Sequence, residues 1–102
     1  MATIEQLTTR IADTLRAGDP LPHVVKIDLK GAGFIHIDGA SVTNRDAPAD
    51  LVVTISLDDV VALGRRRLDP MTALMSRRMR MSNMGLAMSM QSQIQTLFSQ
   101  AA

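Results

Sequence analysis

Val25-Lys26-Ile27-Asp28-Leu29-Lys30 alternates apolar and polar residues one for one, and that period of two decides the fold class. Successive side chains of a strand point to opposite faces, so Val25, Ile27 and Leu29 belong to a buried face. The pattern recurs on either side of short turns. After Gly31-Ala32-Gly33, Ile35 and Ile37 alternate with His36 and Asp38. Asp38-Gly39 suits a tight hairpin turn into a short strand at Ser41-Val42-Thr43. Asn44 to Asp50, containing Pro48, reads as a surface loop, and Leu51, Val53 and Ile55 resume the alternation. An antiparallel sheet with one covered face accounts for all four segments.

Outside this block the period changes to that of a helix. Thr3 followed by Gln6 forms a capping-box pattern, and Ile4, Leu7, Ile11 and Leu15 recur on one stripe. Gly18 and Pro20 end that helix. Ser56 caps a second helix carrying Val60, Val61 and Leu63, with Asp58 and Asp59 in its first turn and Gly64 as its stop. Asp69 caps a third, with Pro70 at its first position, including Met71, Ala73, Leu74 and Met75. Met79 and Met81, separated by Arg80, suggest a last short strand. Asn83 caps a final helix that runs to about Phe98. Met84, Ala87, Met88, Ile94 and Phe98 make one stripe of it, and Leu86, Met90 and Leu97 a second. That surface is broader than one packing contact requires. The spacing predicts a predominantly antiparallel sheet within residues 22–56 and helices at 4–17, 57–64, 70–76 and 84–98.

Composition narrows the function. The 102 residues suit a single domain, 1–102, with 46% hydrophobic and 21% charged residues and a net charge of +1. The absence of cysteine removes disulfides, thiolate zinc sites and thiol nucleophiles, and fits a reducing, cytoplasmic setting. No leader-like start and no apolar run of membrane-spanning length is read. Aromatics are reduced to Phe34 and Phe98, while all 8 methionines except Met1 fall between Met71 and Met90. Methionine suits irregular or changeable apolar surfaces.

Catalytic chemistry finds little support. His23 sits at a strand start, His36 shares a face with Phe34 and Asp38, and Asp58-Asp59 is explained by its helix start. No Gly-x-Ser-x-Gly, Walker loop or His-Glu-x-x-His pattern occurs. The expectation is no enzyme, no cofactor and no metal. Arg65, Arg66, Arg67, Arg77, Arg78 and Arg80 form either a solubilising rim or a contact for a lipid carboxylate, an acyl-CoA phosphate or an anionic surface. With no aromatics among them, nucleic acid is not expected as a partner.

Four pieces fall in order between residues 49 and 90: Ala49-Asp50-Leu51-Val52-Val53-Thr54-Ile55, Asp59-Val60-Val61-Ala62-Leu63, Leu68-Asp69-Pro70 with Ala73, and Asn83-Met84-Gly85-Leu86-Ala87-Met88. Together they resemble the sterol carrier protein 2 family. The first is similar to its fourth strand, the second to its Asp-Phe-Leu-Ala-Leu helix, and the third to its Met-Asn-Pro-x-x-Ala segment. The last matches its Asn-Met-Gly-Leu-Ala-Met segment directly. Residues 1–48 agree in element order only. Arg77-Arg78 stands where the family has Gly-Lys, and Ser82 replaces Thr-Gly. The end, Ser99-Gln100-Ala101-Ala102, lacks the peroxisomal signal of some members.

The resemblance implies an α+β fold, a five-stranded, mostly antiparallel sheet with helices covering one face and an apolar tunnel between them. It implies a non-catalytic carrier of fatty acid, acyl-CoA, sterol or a similar lipid. Residues Leu74, Met75, Met79, Met81, Met84, Met88, Ile94 and Phe98 are then expected to contact the ligand, and Arg65, Arg66, Arg67 and Arg78 its headgroup or a surface. The partners expected are an apolar lipid, with room for transient membrane-surface contact and for a homodimer. The competing reading is an accessory module that docks an apolar helix face on a protein of a lipid-synthesis complex.

Overall fold

Thr3 closes the first helix at both ends of a capping box. Its Oγ1 accepts from the Gln6 N–H at 3.2 Å and its own N–H donates to Gln6 Oε1 at 2.9 Å. In the computed structural model, which describes residues 3–18 and 20–100 (the side chains of 99 and 100 excepted), the elements follow as α1 (Ile4–Ala17), β1 (Val25–Asp28), β2 (Phe34–Asp38), β3 (Ser41–Thr43), β4 (Leu51–Ile55), α2 (Leu57–Gly64), α3 (Pro70–Met75), β5 (Met79–Met81), α4 (Met84–Ser89) and α5 (Gln91–Gln100). The readings made on Met1-Ala2 and Ala101-Ala102 lie outside the described residues.

The sheet is mixed, in the order β3-β2-β1-β4-β5. β1, β2 and β3 form an antiparallel meander, β4 lies parallel to β1, and β5 closes the far edge antiparallel to β4. The parallel pair needs a crossover from β3 to β4, across three strand spacings or about 14 Å. Residues 44–50 make it without a helix, which is within reach of a chain spanning about 3.4 Å per residue. They pass over the helix-free face, where Asp46 takes the Lys26 ammonium at 2.6 Å and the Pro48 carbonyl lies 2.9 Å from His36 Nε2. Asp50 pins the end of the crossover, its Oδ2 accepting from the Val24 N–H at 3.0 Å. His36, expected on the polar face, is there.

Register puts Ile37, Val25 and Leu51 in one row, and Ile35, Ile27, Val53 and Met81 in the next. These rows, with Ile55 and Met79, face the helices. Leu7, Ile11 and Leu15 from α1, Val60 and Leu63 from α2, and Ile94, Leu97 and Phe98 from α5 complete one buried cluster. α5 packs against both α1 and α2, and α3 sits against the β5 edge.

One expectation needs correction. The final helix is not continuous over 84–98 but breaks at Met90, whose φ of −106° and ψ of 15° leave the helical region. Its N–H ends α4 on Leu86 and Ala87, and its carbonyl accepts from Ile94 to begin the next helix. The break has a packing cause. Two adjoining stripes cannot both face the sheet from one straight helix, and the bend buries Ala87, Met90, Ile94, Leu97 and Phe98 while leaving Met84 and Met88 outside. The second helix, α2, ends at Gly64 as expected, and the left-handed position after it falls at Arg66, with φ of 60°.

Candidate functional site

Three caps position the methionine-rich segment. Asp69 Oδ2 accepts from the N–H groups of Met71 and Thr72 at 3.0 and 3.2 Å, starting α3 with Pro70 at its first turn. α3 ends in a Schellman motif, with Arg77 N–H on Leu74 O and Arg78 N–H on Ala73 O. Asn83 Oδ1 accepts from the Leu86 N–H at 3.1 Å and starts α4. The chain thus runs from α3 through edge strand β5 into α4, with tight corners.

The expected ligand residues divide. Met79, Ile94 and Phe98 are buried in the common core, and Leu74 and Met81 pack on it from half-buried positions. Met75, Met84 and Met88 stand outside, with 79%, 48% and 69% of their surface exposed, as does Met71 at 62%. Each helix therefore fully buries a single alanine, Ala73 or Ala87, packs one leucine, Leu74 or Leu86, against the core from a half-buried position, and shows an i,i+4 methionine pair outward. Met90, in neither set of expected contacts, is buried at the break, 1% exposed. Its signal was legible: Ala87, Met90, Ile94 and Leu97 recur at three- and four-residue steps.

Arg65, Arg66, Arg67 and Arg78 are exposed, as are Arg77 and Arg80. Among the described residues none of the six pairs with a carboxylate, whereas Arg16 pairs with Asp13 and Lys26 with Asp46, and His23 Nδ1 lies 4.0 Å from Asp50 Oδ2. Arg65 and Arg67 border a surface hollow of about 380 Å³ with Asp58, Val61 and Ala62. Sequence reasoning missed that hollow, although Asp58, Val61, Ala62 and Arg65 share one helix face. Lys30 reaches the start of β5, its Nζ 3.4 Å from the Arg78 carbonyl. No group of three or more His, Asp and Glu side chains among the described residues could hold a metal ion. No helix among them is long and apolar enough to cross a membrane.

The model of the SCP-2 sterol transfer family matches residues 4–95 of the sequence. The chain belongs to the SCP-2 sterol transfer family. Solved structures agree on the fold. Sterol carrier protein 2 like 2 from Aedes aegypti superimposes with a TM-score of 0.72 at 23% identity, over 85% of this chain and 92% of that one. The sterol carrier protein domain 2 of Helicoverpa armigera gives 0.53 at 25% identity, over 89% and 75%. A stereoselective inverting sec-alkylsulfatase from a Pseudomonas species gives 0.56 at 16% identity, over 92% of this chain but only 15% of its own length. No curated protein matches in sequence. Within the SCP-2 frame, the mixed sheet with helices on one face is the expected α+β architecture, and Arg77 holds the left-handed turn, φ 61°, where the family's Gly-Lys pair was expected.

Proposed function

We propose that this protein binds and carries an apolar lipid, a fatty acid, acyl-CoA or sterol, without transforming it. The observation that carries the reading is membership of the SCP-2 sterol transfer family across residues 4–95. The ligand would enter between the sheet and the α3–β5–α4–α5 side, against Leu74, Met75, Met79, Met81, Met84, Met88, Ile94 and Phe98. Arg65, Arg66, Arg67 and Arg78 would meet its headgroup, with the hollow beside Arg65 and Arg67 as the candidate seat. The domain is 1–102, in a cytoplasmic setting that suits a chain with no cysteine.

Magnitudes favour a carrier that closes when empty. A dry cavity of ~300 Å³ would cost about 7 kcal/mol at roughly 24 cal/mol per Å³, comparable to a whole domain's stability. Sixteen buried methylenes are worth on the order of 12 kcal/mol before ordering costs, enough to reopen the space. The break at Met90 is where α4 can swing from α5, and the methionines are flexible enough to refill the layer.

Fatty acid should raise the melting temperature in proportion to the logarithm of its free concentration. The paired substitutions Met84→Asp and Met88→Asp should abolish that shift while leaving the fold intact, because both positions are exposed when no lipid is bound. Absence of any shift across chain lengths and sterols, with no lipid in native mass spectra, would refute carriage. A domain that is empty and retains one protein would instead support the accessory module, which the outward methionine pairs also suit.

A further inference from the structure

Sulfur is unevenly placed in this chain. There is no cysteine, and all 8 methionines except Met1 fall between Met71 and Met90. Those within that segment divide by depth. Met79 and Met90 are buried, 3% and 1% exposed, and Met81 is half-buried. Met71, Met75, Met84 and Met88 have between 48% and 79% of their surface exposed. Among the described residues these four are the large apolar side chains left exposed, while every leucine, isoleucine and phenylalanine is buried or half-buried. Where the chain shows apolar bulk to water, it uses the one such side chain that peroxides attack.

The exposed thioethers are also the ones on which the fold does not depend. α3 is held by the Asp69 cap and by Ala73 and Leu74, and α4 by the Asn83 cap and by Ala87 and Leu86. The methionines of each helix stand four residues apart on its outer side. Oxidation turns a flexible apolar side chain into a polar, chiral one, which disrupts packing where the residue is buried. A sulfoxide at Met79 or Met90 would enter the core, whereas at the four outer positions it meets water. Leucine has a similar helix propensity, would present as much apolar surface there and is inert to peroxide.

We propose that Met71, Met75, Met84 and Met88 form a reversible oxidation site, converted to sulfoxides by a peroxide while the domain stays folded, and that the conversion switches off uptake of apolar cargo. In each step the sulfur lone pair attacks one oxygen of hydrogen peroxide. The O–O bond breaks as the S–O bond forms, and the departing hydroxide takes the remaining proton and leaves as water. Sulfur gives up two electrons and the peroxide accepts them. Methionine sulfoxide reductases, one for each epimer, reverse the change. The electrons then come from a dithiol, which closes to a disulfide while the oxygen leaves as water. The effect on cargo rests on the carrier reading, in which Met75, Met84 and Met88 touch the lipid. Met71 lies outside those contacts and serves as an internal reference.

The test treats the intact chain with hydrogen peroxide and maps residues 71–90 by peptide mass spectrometry over time. The four outer methionines should oxidise first, with Met79 and Met90 at least about tenfold slower until urea unfolds the chain. The protein oxidised at those four should keep a cooperative urea transition and lose the fatty-acid thermal shift. Treatment with both reductases and dithiothreitol should restore it. The variant carrying Met71→Leu, Met75→Leu, Met84→Leu and Met88→Leu should keep, after peroxide, whatever shift it gives before. Fatty acid bound beforehand should slow oxidation of Met75, Met84 and Met88 relative to Met71. Equal rates at outer and buried methionines overturn the proposal, as does loss of the urea transition while the outer four alone are oxidised. A fatty-acid shift undiminished by oxidation overturns the switch. If the untreated parent gives no shift at all, carriage is refuted and the cargo switch falls with it. The oxidation map and the urea transition still decide the site.

Discussion

Up to Gly64 no large apolar side chain among the described residues is left exposed, whereas the segment after it leaves two methionine pairs on the outside. The first region can be explained by folding alone. Its alternation places Val25, Ile27, Ile35, Ile37, Leu51, Val53 and Ile55 on one face, and α1 lays Leu7, Ile11 and Leu15 across them. The second region also buries Leu68, Ile94, Leu97 and Phe98, but its two short helices, α3 and α4, each bury only an alanine, Ala73 or Ala87. A chain selected only for stability would put its bulk inward there too, since burying a large side chain is worth about 1.5–3 kcal/mol. The contrast locates where stability has yielded to something else.

The largest effect expected from that contrast sets Ile37→Asp against Met88→Asp. Ile37 is fully buried on the covered face of β2, and an unpaired carboxylate there should cost more than about 4 kcal/mol, enough to unfold a marginal domain. At Met88 the same carboxylate meets water and should leave a cooperative urea transition in place. If both unfold the chain, the second region is ordinary core, and the division fails.

How much was legible follows the same division. Helix 4–17 and helix 57–64 coincide with the structure because capping residues and one clean stripe both mark them. The strands were legible because period two has no competing explanation over five residues. The parallel placement of β4 beside β1 was not legible from alternation, which tells which face a residue takes but not which neighbour it pairs with. The helix break was hidden by abundance: with so many apolar residues from Met84 to Met90, several stripes fit, and only packing selected one. The left-handed arginines were hidden because glycine is the usual signal and Gly64 stood two residues from the true position. The family resemblance supplied the candidate ligand contacts, but not which of those methionines point outward.

A middle-sized effect sharpens the first region. Gly33 has φ of 132°, and a Cβ there would lie 2.6 Å from Ile4 Cδ1 on α1. Gly33→Ala should therefore cost about 1–3 kcal/mol through backbone strain and displacement of Ile4. The urea midpoint would drop while the slope stays the same. A neutral outcome would mean that the packing of α1 against the β1–β2 turn is looser than the structure describes.

The smallest effect is the most informative about the second region. Met75→Gln replaces an apolar side chain, 79% exposed, by a polar one of similar length and helix propensity. With so little surface to lose, stability should change by less than about 0.5 kcal/mol, within the range of ordinary surface substitutions. Thermal melts at several protein concentrations make the measurement decisive. A loss of 2 kcal/mol or more, growing as the protein is concentrated, would mean that Met75 is covered in solution by another copy of the chain. A negligible change at every concentration leaves Met75 bare until a ligand or a surface meets it. The glutamine should then reveal itself only when lipid is added, as a weaker thermal shift.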